Sequence, residues 1–266
     1  MHLRENSGGE RIRETVHKPD VKMKMIPRHV TIIMDGNGRW AKKKGLDRLY
    51  GHKEGVESVR AATEFAAENK IGYLSLFAFS EENWNRPQDE IIGLMELMID
   101  AIAAETPTLM KNNVKFRVIG DFSKLPDTLK EKIAQTEKIT SQNSGLTLII
   151  FLSYSGKWDI LQATKRYAEE VLKAKENNKS LDELDSDYFE SLLSTAGIPN
   201  PDLLIRTSGE QRISNYILWQ AAYSEFYFTD VLWPDFRKTD FQKALDIFSE
   251  RERRFGKTGD QVNNLN

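Results

Sequence analysis

The sequence predicts an α/β fold: a mainly parallel central sheet of about six strands flanked by helices. Three observations carry that prediction. Short, continuous, β-prone apolar runs such as Val30–Met34 and Ile71–Phe79 suit strands buried on both faces. Between such runs stand longer segments with helical apolar spacing. Strand and helix therefore alternate, as they do in parallel sheets covered by helices. The 266 residues, 39% hydrophobic and 29% charged, are enough for one large α/β domain.

Residues 1–26 are charged and lack apolar periodicity, which predicts a loose N-terminal arm. Val30–Met34 is the first strand, and Asp35-Gly36-Asn37-Gly38 follows it as a glycine-rich turn. Glu54–Lys70 has helical spacing, with Val56, Val59, Phe65 and Ala66 as candidate core positions. Ile71–Phe79 is the second strand. Asp89–Met110 is a long amphipathic helix carrying Ile91, Ile92, Leu94, Met95, Leu97, Met98, Ile99 and Ile102. Val114–Ile119 is a third strand, followed by a helix over Pro126–Thr140. Leu146–Leu152 is a fourth strand, followed by a helix over Lys157–Lys175. Asp182–Asp187 reads as an acidic linker. Asp202–Arg206 and Glu225–Phe228 are the fifth and sixth strands, Asp240–Arg254 is helical, and residues 257–266 form a polar tail. No repeat and no Gly/Ser- or Pro-rich linker interrupts residues 27–256, so they are expected to form a single domain.

Bulk properties exclude several function classes. The formal net charge of −2 gives no global field toward nucleic acid or an anionic membrane, so any basic site is local. With no cysteine there is no disulfide, no cysteine–zinc site and no thiol nucleophile. The four histidines, at positions 2, 17, 29 and 52, have no metal-ligand spacing. No N-terminal apolar h-region appears, and no apolar run approaches the roughly 20 residues of a spanning helix. A soluble cytoplasmic protein is expected.

The stretch from His29 to Trp40 delivers one carboxylate, Asp35, to the end of a strand, where open α/β sheets place their ligands. Gly36 and Gly38 remove Cβ atoms, so a ligand can reach backbone N–H groups. Arg39, Lys42, Lys43, Lys44, Arg48, His52 and Lys53 follow. One acid beside bare backbone and many cations suits a metal-bound phosphate or diphosphate. The plainer reading stays open, because Asp-Gly and Asn-Gly are turn dipeptides and three lysines can be a solvated face.

Three further places carry chemistry. Ser80–Pro87 follows the second strand and offers a hydroxyl, an amide (Asn83), an indole (Trp84) and a guanidinium (Arg86). Taken alone it reads more readily as a core anchor and a helix lead-in. Arg206–Asn215 gathers Arg206, Arg212, Ser208 and Ser214 around Gly209 after the fifth strand, a second oxyanion-binding loop. As an alternative, Ser214 and Asn215 are helix caps. Glu225 stands in an aromatic strand, where a carboxylate needs a cation or an arginine partner. Two phosphate motifs are absent: Gly256-Lys257-Thr258 lacks the upstream glycine of a P-loop, since position 251 is Arg251, and no Asp-Asp-x-x-Asp exists.

Together these loops resemble the cis-prenyltransferase family. The matching segments are Met34–Ala41, Gly51-His52-Lys53, Phe79–Pro87, Pro201–Asn215, Tyr223–Phe228 and Trp233-Pro234. They run in family order from about residue 29 to 254, nearly the whole chain. Ser153-Tyr154-Ser155-Gly156 departs from the family's more frequent Asn-Tyr-Gly-Gly, and Glu54 replaces a small residue. The resemblance implies condensation of isopentenyl diphosphate onto an allylic prenyl diphosphate with Mg2+. Asp35 would handle the magnesium–diphosphate of the allylic substrate, and Glu225 would share the metal. Gly36, Asn37, Gly38, Arg39, Arg48 and His52 would surround that diphosphate. Trp40, Ser80, Glu81, Glu82, Trp84 and Arg86 would shape the reacting ends, and Asn83 would aid proton removal. Arg206, Arg212, Ile213 and Ser214 would hold the diphosphate of isopentenyl diphosphate. The growing hydrocarbon would occupy a tunnel walled by the apolar face from Ile91 to Ile102, a face equally consistent with ordinary core. A homodimer is implied, with peripheral membrane contact for product release. Two rivals stay open: a non-catalytic partner subunit of such a complex, which should lack the metal carboxylate and one clamp, and a nucleotide- or nucleic-acid-binding module reading Lys42–Lys44, whose binding would depend strongly on salt.

Overall fold

A computed structural model describes residues 25–177, 179–180 and 183–254. Most of the expected N-terminal arm and all of the polar tail lie outside these residues. Among the described residues, six parallel strands form one sheet, in the order β3-β4-β2-β1-β5-β6. They are β1 (His29–Ile33), β2 (Tyr73–Ser80), β3 (Lys115–Ile119), β4 (Thr147–Tyr154), β5 (Leu203–Arg206) and β6 (Glu225–Phe228). Seven α-helices flank them: α1 (Asn37–Lys43), α2 (Arg48–Glu68), α3 (Gln88–Lys111), α4 (Asp127–Thr140), α5 (Gly156–Glu176), α6 (Ser186–Leu192) and α7 (Lys238–Glu250). None is long and apolar enough to cross a membrane.

β1 shows why the run Val30–Met34 folds as it does. All five residues of the strand are buried, and successive side chains serve opposite faces. Val30 and Ile32 join the core under α2, α3 and α7, while Ile33 joins a second core with Tyr154, Tyr216 and Ile217. β1 pairs with β2 on one side and β5 on the other. The chain builds β2, β3 and β4 to one side of β1, then crosses to β5 and β6. The switch point thus lies between β1 and β5, where such sheets open a crevice at their carboxyl ends.

Three differences from the expected elements have local causes. The turn after Asp35 continues into α1, because Gly36, at φ 110°, caps a seven-residue helix that its sequence does not advertise. α2 begins at Arg48 rather than Glu54, capped by Asp47, whose side chain accepts from the Leu49 amide at 2.8 Å. Gly51 interrupts its apolar pattern for a packing reason: a Cβ there would lie 2.1 Å from the Asn37 carbonyl oxygen where α1 crosses α2. The acidic stretch before Asp187 is partly a cap, since Asp185 accepts from the Tyr188 amide at the start of α6.

Candidate active site at the carboxyl edge of the sheet

Asp35 follows β1, and Arg206 ends β5, at the switch point. Their side chains meet: Arg206 Nη2 donates to Asp35 Oδ2 at 2.9 Å. Arg39 Nη2, one helical turn on, lies 3.1 Å from Asp35 Oδ1. The backbone of Asp35 is held as firmly, since its amide donates to Thr207 Oγ1 at 2.9 Å and its carbonyl accepts from that hydroxyl at 2.6 Å. Burial works to raise the Asp35 pKa, but the hydrogen bond and charge of Arg206, then those of Arg39, outweigh it. The carboxyl is held below its ordinary value. Arg206 is itself only 5% exposed. It also bonds Ser214 Oγ (2.8 Å) and the Arg212 carbonyl, while its buried Nε has no protein partner.

This corner joins two loops that the sequence reading kept apart as separate clamps. Arg206 faces Asp35, whereas Arg212 is 59% exposed and ion-paired with Glu210 at the surface. Ser214 lines the cavity described below, and Ile213 packs into the Tyr154–Tyr216 core instead.

The residues after Asp35 divide in the same way. Asn37 and His52 line the cavity; Gly36 leaves the first turn of α1 without a side-chain cap. Gly38 lets the Arg48 guanidinium approach, as a Cβ there would lie 3.2 Å from Arg48 Cζ. Trp40 does not line the cavity. It is buried with Ala41 and Leu232, its Nε1 donating to Asp235 at 2.7 Å and Lys44 stacked on its ring. Arg48 and Arg86 converge on one carboxylate, Glu90, at 3.5 and 3.1 Å. His52 is half-buried beside them. Burial first, then the charges of Arg86 and Arg48, lower its pKa to about 4, so it is neutral near pH 7 and set among cations.

Glu81–Asn85 forms a 3₁₀ turn after β2, with Ser80 and Asn83 making a reciprocal capping box. Ser80, Asn83 and Arg86 line the cavity. Glu81, Glu82 and Trp84 do not line it and bond neighbouring elements instead. Ser155 donates to Glu81, Asn215 to Glu82, and Trp84 Nε1 to Ser153 Oγ. For Glu82, burial works to raise the pKa, but the Asn215 hydrogen bond and lesser contributions hold it below the ordinary value. Trp84 also packs edge-on against Phe79 at 5.1 Å, as a core anchor does.

Glu225 is not brought to Asp35 within this chain. It starts β6 level with Leu203 and Val30, whereas Asp35 lies beyond Ile33, level with Arg206 and Phe228. Three residues of strand separate the levels, about 10 Å. Glu225 Oε2 instead accepts from Arg251 Nη1 at 2.8 Å, the arginine pairing that a carboxylate in an aromatic strand requires. No group of three or more His, Asp or Glu side chains stands ready to hold a metal among the described residues. That donor set fits a hard cation arriving with a diphosphate, because Mg2+ keeps waters and typically takes only one or two carboxylates plus substrate oxygens. Asp35 supplies one carboxylate, and its two oxygens have lone pairs beyond those used by Arg39 and Arg206.

The polar corner opens into an apolar cavity of about 430 Å³ between the sheet and helices α2 and α3. Asp35, Asn83, Arg86, Arg206 and Ser214 line one end. Val56 and Val59 of α2, Leu94, Leu97, Met98, Ala101 and Ile102 of α3, and Phe79, Leu148 and Ile150 of the sheet line the body. Within the apolar face expected to form a wall, Leu94, Leu97, Met98 and Ile102 meet the cavity. Ile91 is core beside it and Ile92 is exposed. Two contributors escaped the sequence reading. Glu90 stands four residues after Arg86, a helical pairing that spacing reveals. Thr207 bears no such signal, since nothing local says that its hydroxyl reaches Asp35.

Comparison with known proteins agrees with this arrangement. The sequence profile of the family described as "Putative undecaprenyl diphosphate synthase" matches residues 33–256. The farnesyl-diphosphate-specific ditrans,polycis-undecaprenyl-diphosphate synthase of Escherichia coli K12 is 51% identical over 237 residues, 88% of this chain and 92% of that protein. An isoprenyl transferase of Chlorobaculum tepidum is 49% identical over 252 residues, 95% of this chain and 92% of its own. Among solved structures, the lavandulyl diphosphate synthase of Lavandula x intermedia in complex with dimethylallyl diphosphate aligns with a TM-score of 0.82 at 36% identity, covering 87% of this chain and 98% of that one. A probable undecaprenyl diphosphate synthase from Campylobacter jejuni aligns at 0.70 and 34%, covering 88% and 100%.

Proposed function

We propose, since the chain belongs to the undecaprenyl diphosphate synthase family, that it condenses isopentenyl diphosphate units onto an allylic prenyl diphosphate with cis double bonds. Farnesyl diphosphate is the primer and a long polyprenyl diphosphate such as undecaprenyl diphosphate the product. The chain is a cis-prenyltransferase, and one observation carries its assignment to elongation: a charged corner, Asp35 with Arg206 and Arg39, opens directly into an apolar cavity. The corner suits a diphosphate, and the cavity suits the hydrocarbon attached to it.

The chain's own residues divide the work. Arg39, Arg48, Arg86 and neutral His52 surround the allylic diphosphate with the amides after Gly36, and the arginines stabilise the charge that builds as the allylic carbon–oxygen bond breaks. Arg206 and Ser214, with Arg212 beyond them, hold the diphosphate of isopentenyl diphosphate. Its double bond attacks the allylic carbon, and a proton leaves beside Asn83, which the capping box orients at the mouth. Asp35 would hold Mg2+, which when bound neutralises charge on the leaving diphosphate. The apolar walls exclude water from the reacting carbon.

The chain is expected to work as a homodimer. β6 is an edge strand next to Tyr223, which is 66% exposed, and Phe226 and Phe228 stack beside it; an apolar edge of this kind is normally covered. A non-catalytic subunit fits less well, because both the Asp35 carboxylate and the Arg206 loop are present. The test is incubation with farnesyl diphosphate, labelled isopentenyl diphosphate and Mg2+, followed by sizing of the product. Labelled polyprenyl diphosphate that disappears with excess chelator is expected. No incorporation, or full turnover in chelator, would refute the proposal.

A further inference from the structure

The turn Glu81–Asn85 sets three residues of the cavity mouth: Ser80, Asn83 and Arg86. Its own backbone holds it weakly. The Ser80 amide donates to Asn83 Oδ1 at 3.0 Å, and the Arg86 amide to the Asn83 carbonyl at 3.1 Å. A five-residue 3₁₀ turn has poor hydrogen-bond geometry and little stability of its own. Bonds to the end of β4, the start of α5 and the loop after β5 fix it in place. Trp84 Nε1 donates to Ser153 Oγ at 2.9 Å, Asn215 Nδ2 to Glu82 Oε1 at 2.6 Å, and Ser155 Oγ to Glu81 Oε2 at 2.9 Å.

The Ser155 bond differs from the other two. Ser155 is 1% exposed and is the N-cap of α5, where its Oγ accepts from the Trp158 amide at 3.2 Å. The cap uses a lone pair and leaves the single hydroxyl proton for Glu81. One side chain therefore does two jobs, and in the second it donates to the Glu81 carboxylate from the N-cap of a 21-residue helix.

We propose that Ser155 is a positioning residue: its hydroxyl ties the Glu81–Asn85 turn to the N-terminus of α5, and so sets where Asn83 and Arg86 stand at the mouth. Ser155 does not line the cavity, so its influence on the reaction passes through the turn. The catalytic consequence rests on the prenyl-transfer reading, whereas the tie itself does not.

Three variants separate the tie from the cap. Ser155→Asp keeps an N-cap acceptor but sets a carboxylate against Glu81. Ser155→Ala removes both, and Ser155→Thr retains both. Hydrogen exchange of the amides of residues 80–86 reads the turn directly, alongside melting temperature and kcat. Ser155→Asp should melt below wild type, since it buries a carboxylate against Glu81; beyond that it should exchange about tenfold faster in the turn and lose about tenfold in kcat, the size of one partly exposed charge-assisted bond. Ser155→Thr should restore both. A purely capping role predicts that Ser155→Asp and Ser155→Ala change only the melting temperature and leave turn exchange and kcat at wild type. Unchanged exchange in Ser155→Asp would overturn the proposal, and so would slowed turnover without faster exchange. An inactive wild type with the exchange difference intact would support the tie and overturn the functional reading instead.

Discussion

The two ends of the cavity are built on different principles. Its mouth comes from loops after β1, β2 and β5, brought together from distant parts of the sequence and held by charged and polar bonds. Its body comes from one face of α2, one face of α3 and the sheet, held mainly by apolar packing with the Arg60–Glu105 ion pair joining the two helices. The mouth therefore depends on single atoms, and losing one changes chemistry. The body depends on volume, and changing it alters what fits. Four predictions test that contrast.

The largest effect belongs to the mouth. Asp35→Asn preserves the shape of the corner but removes its negative charge, and turnover of labelled isopentenyl diphosphate should fall about 10²–10³-fold. Asp35→Ala should also lower the melting temperature, because Arg206 is buried and loses its carboxylate. Near-normal turnover in a folded Asp35→Asn protein would place the chemistry elsewhere.

Next come the two arginines of the β5 loop. Arg206→Ala should reduce kcat/KM for both substrates by about 10- to 150-fold, since its guanidinium joins the Asp35 corner to Ser214. Arg212→Ala should act on isopentenyl diphosphate alone and more weakly, because the side chain is largely exposed. Steady-state kinetics with each substrate varied decides this; equal losses for the two variants would undo the distinction.

The body should answer differently. Ala101→Phe adds volume on the cavity face of α3, far from the charged corner. The first condensation should run close to the wild-type rate while products become shorter, at a stability cost of about 1–3 kcal/mol. Product sizing beside single-turnover rates measures both, and a product distribution like wild type would show that the body is not the hydrocarbon site.

The smallest effect is on stability against pH. His52 and His29 have pKa values lowered from 6.5 to about 4, in both cases chiefly by burial. The unfolded chain takes up protons in that window and the folded chain does not. Stability should be full above pH 6.5 and decline as pH falls toward 4. Asp35, with its pKa held below the ordinary carboxyl value, adds a loss at still lower pH. Melting temperatures from pH 7 to 4 should show the decline, and His52→Gln should flatten part of it. A flat profile for the wild type would mean that burial does not hold these two histidines neutral.

Legibility in the sequence follows the same division. Strand positions were readable because buried parallel strands are continuous apolar runs, and β6 falls on Glu225–Phe228 as expected. The mouth was readable by residue type: Asp35, Asn83, Arg86 and Arg206 all reach it. Residue type did not say which way side chains turn. Trp40, Glu81, Glu82 and Trp84 sit in the same motifs, yet they bond to protein rather than line the cavity, because each found a partner on a neighbouring element. The ion pair of Arg206 with Asp35 was invisible, since β1–β5 pairing is a property of the whole sheet. The cavity face of α3 was readable only as an apolar stripe, because helix spacing is identical for a wall and for a core.

The bonds between Asp35 and Thr207 join positions 172 residues apart. Closing so long a loop costs chain entropy before any pairing repays it. A growing polypeptide on the ribosome thus carries Asp35 through most of its synthesis with no Arg206 to meet it. Through that interval Asp35 has only its near neighbour Arg39 as a cationic partner. The buried guanidinium that completes the corner arrives last, when β5 has emerged and paired with β1.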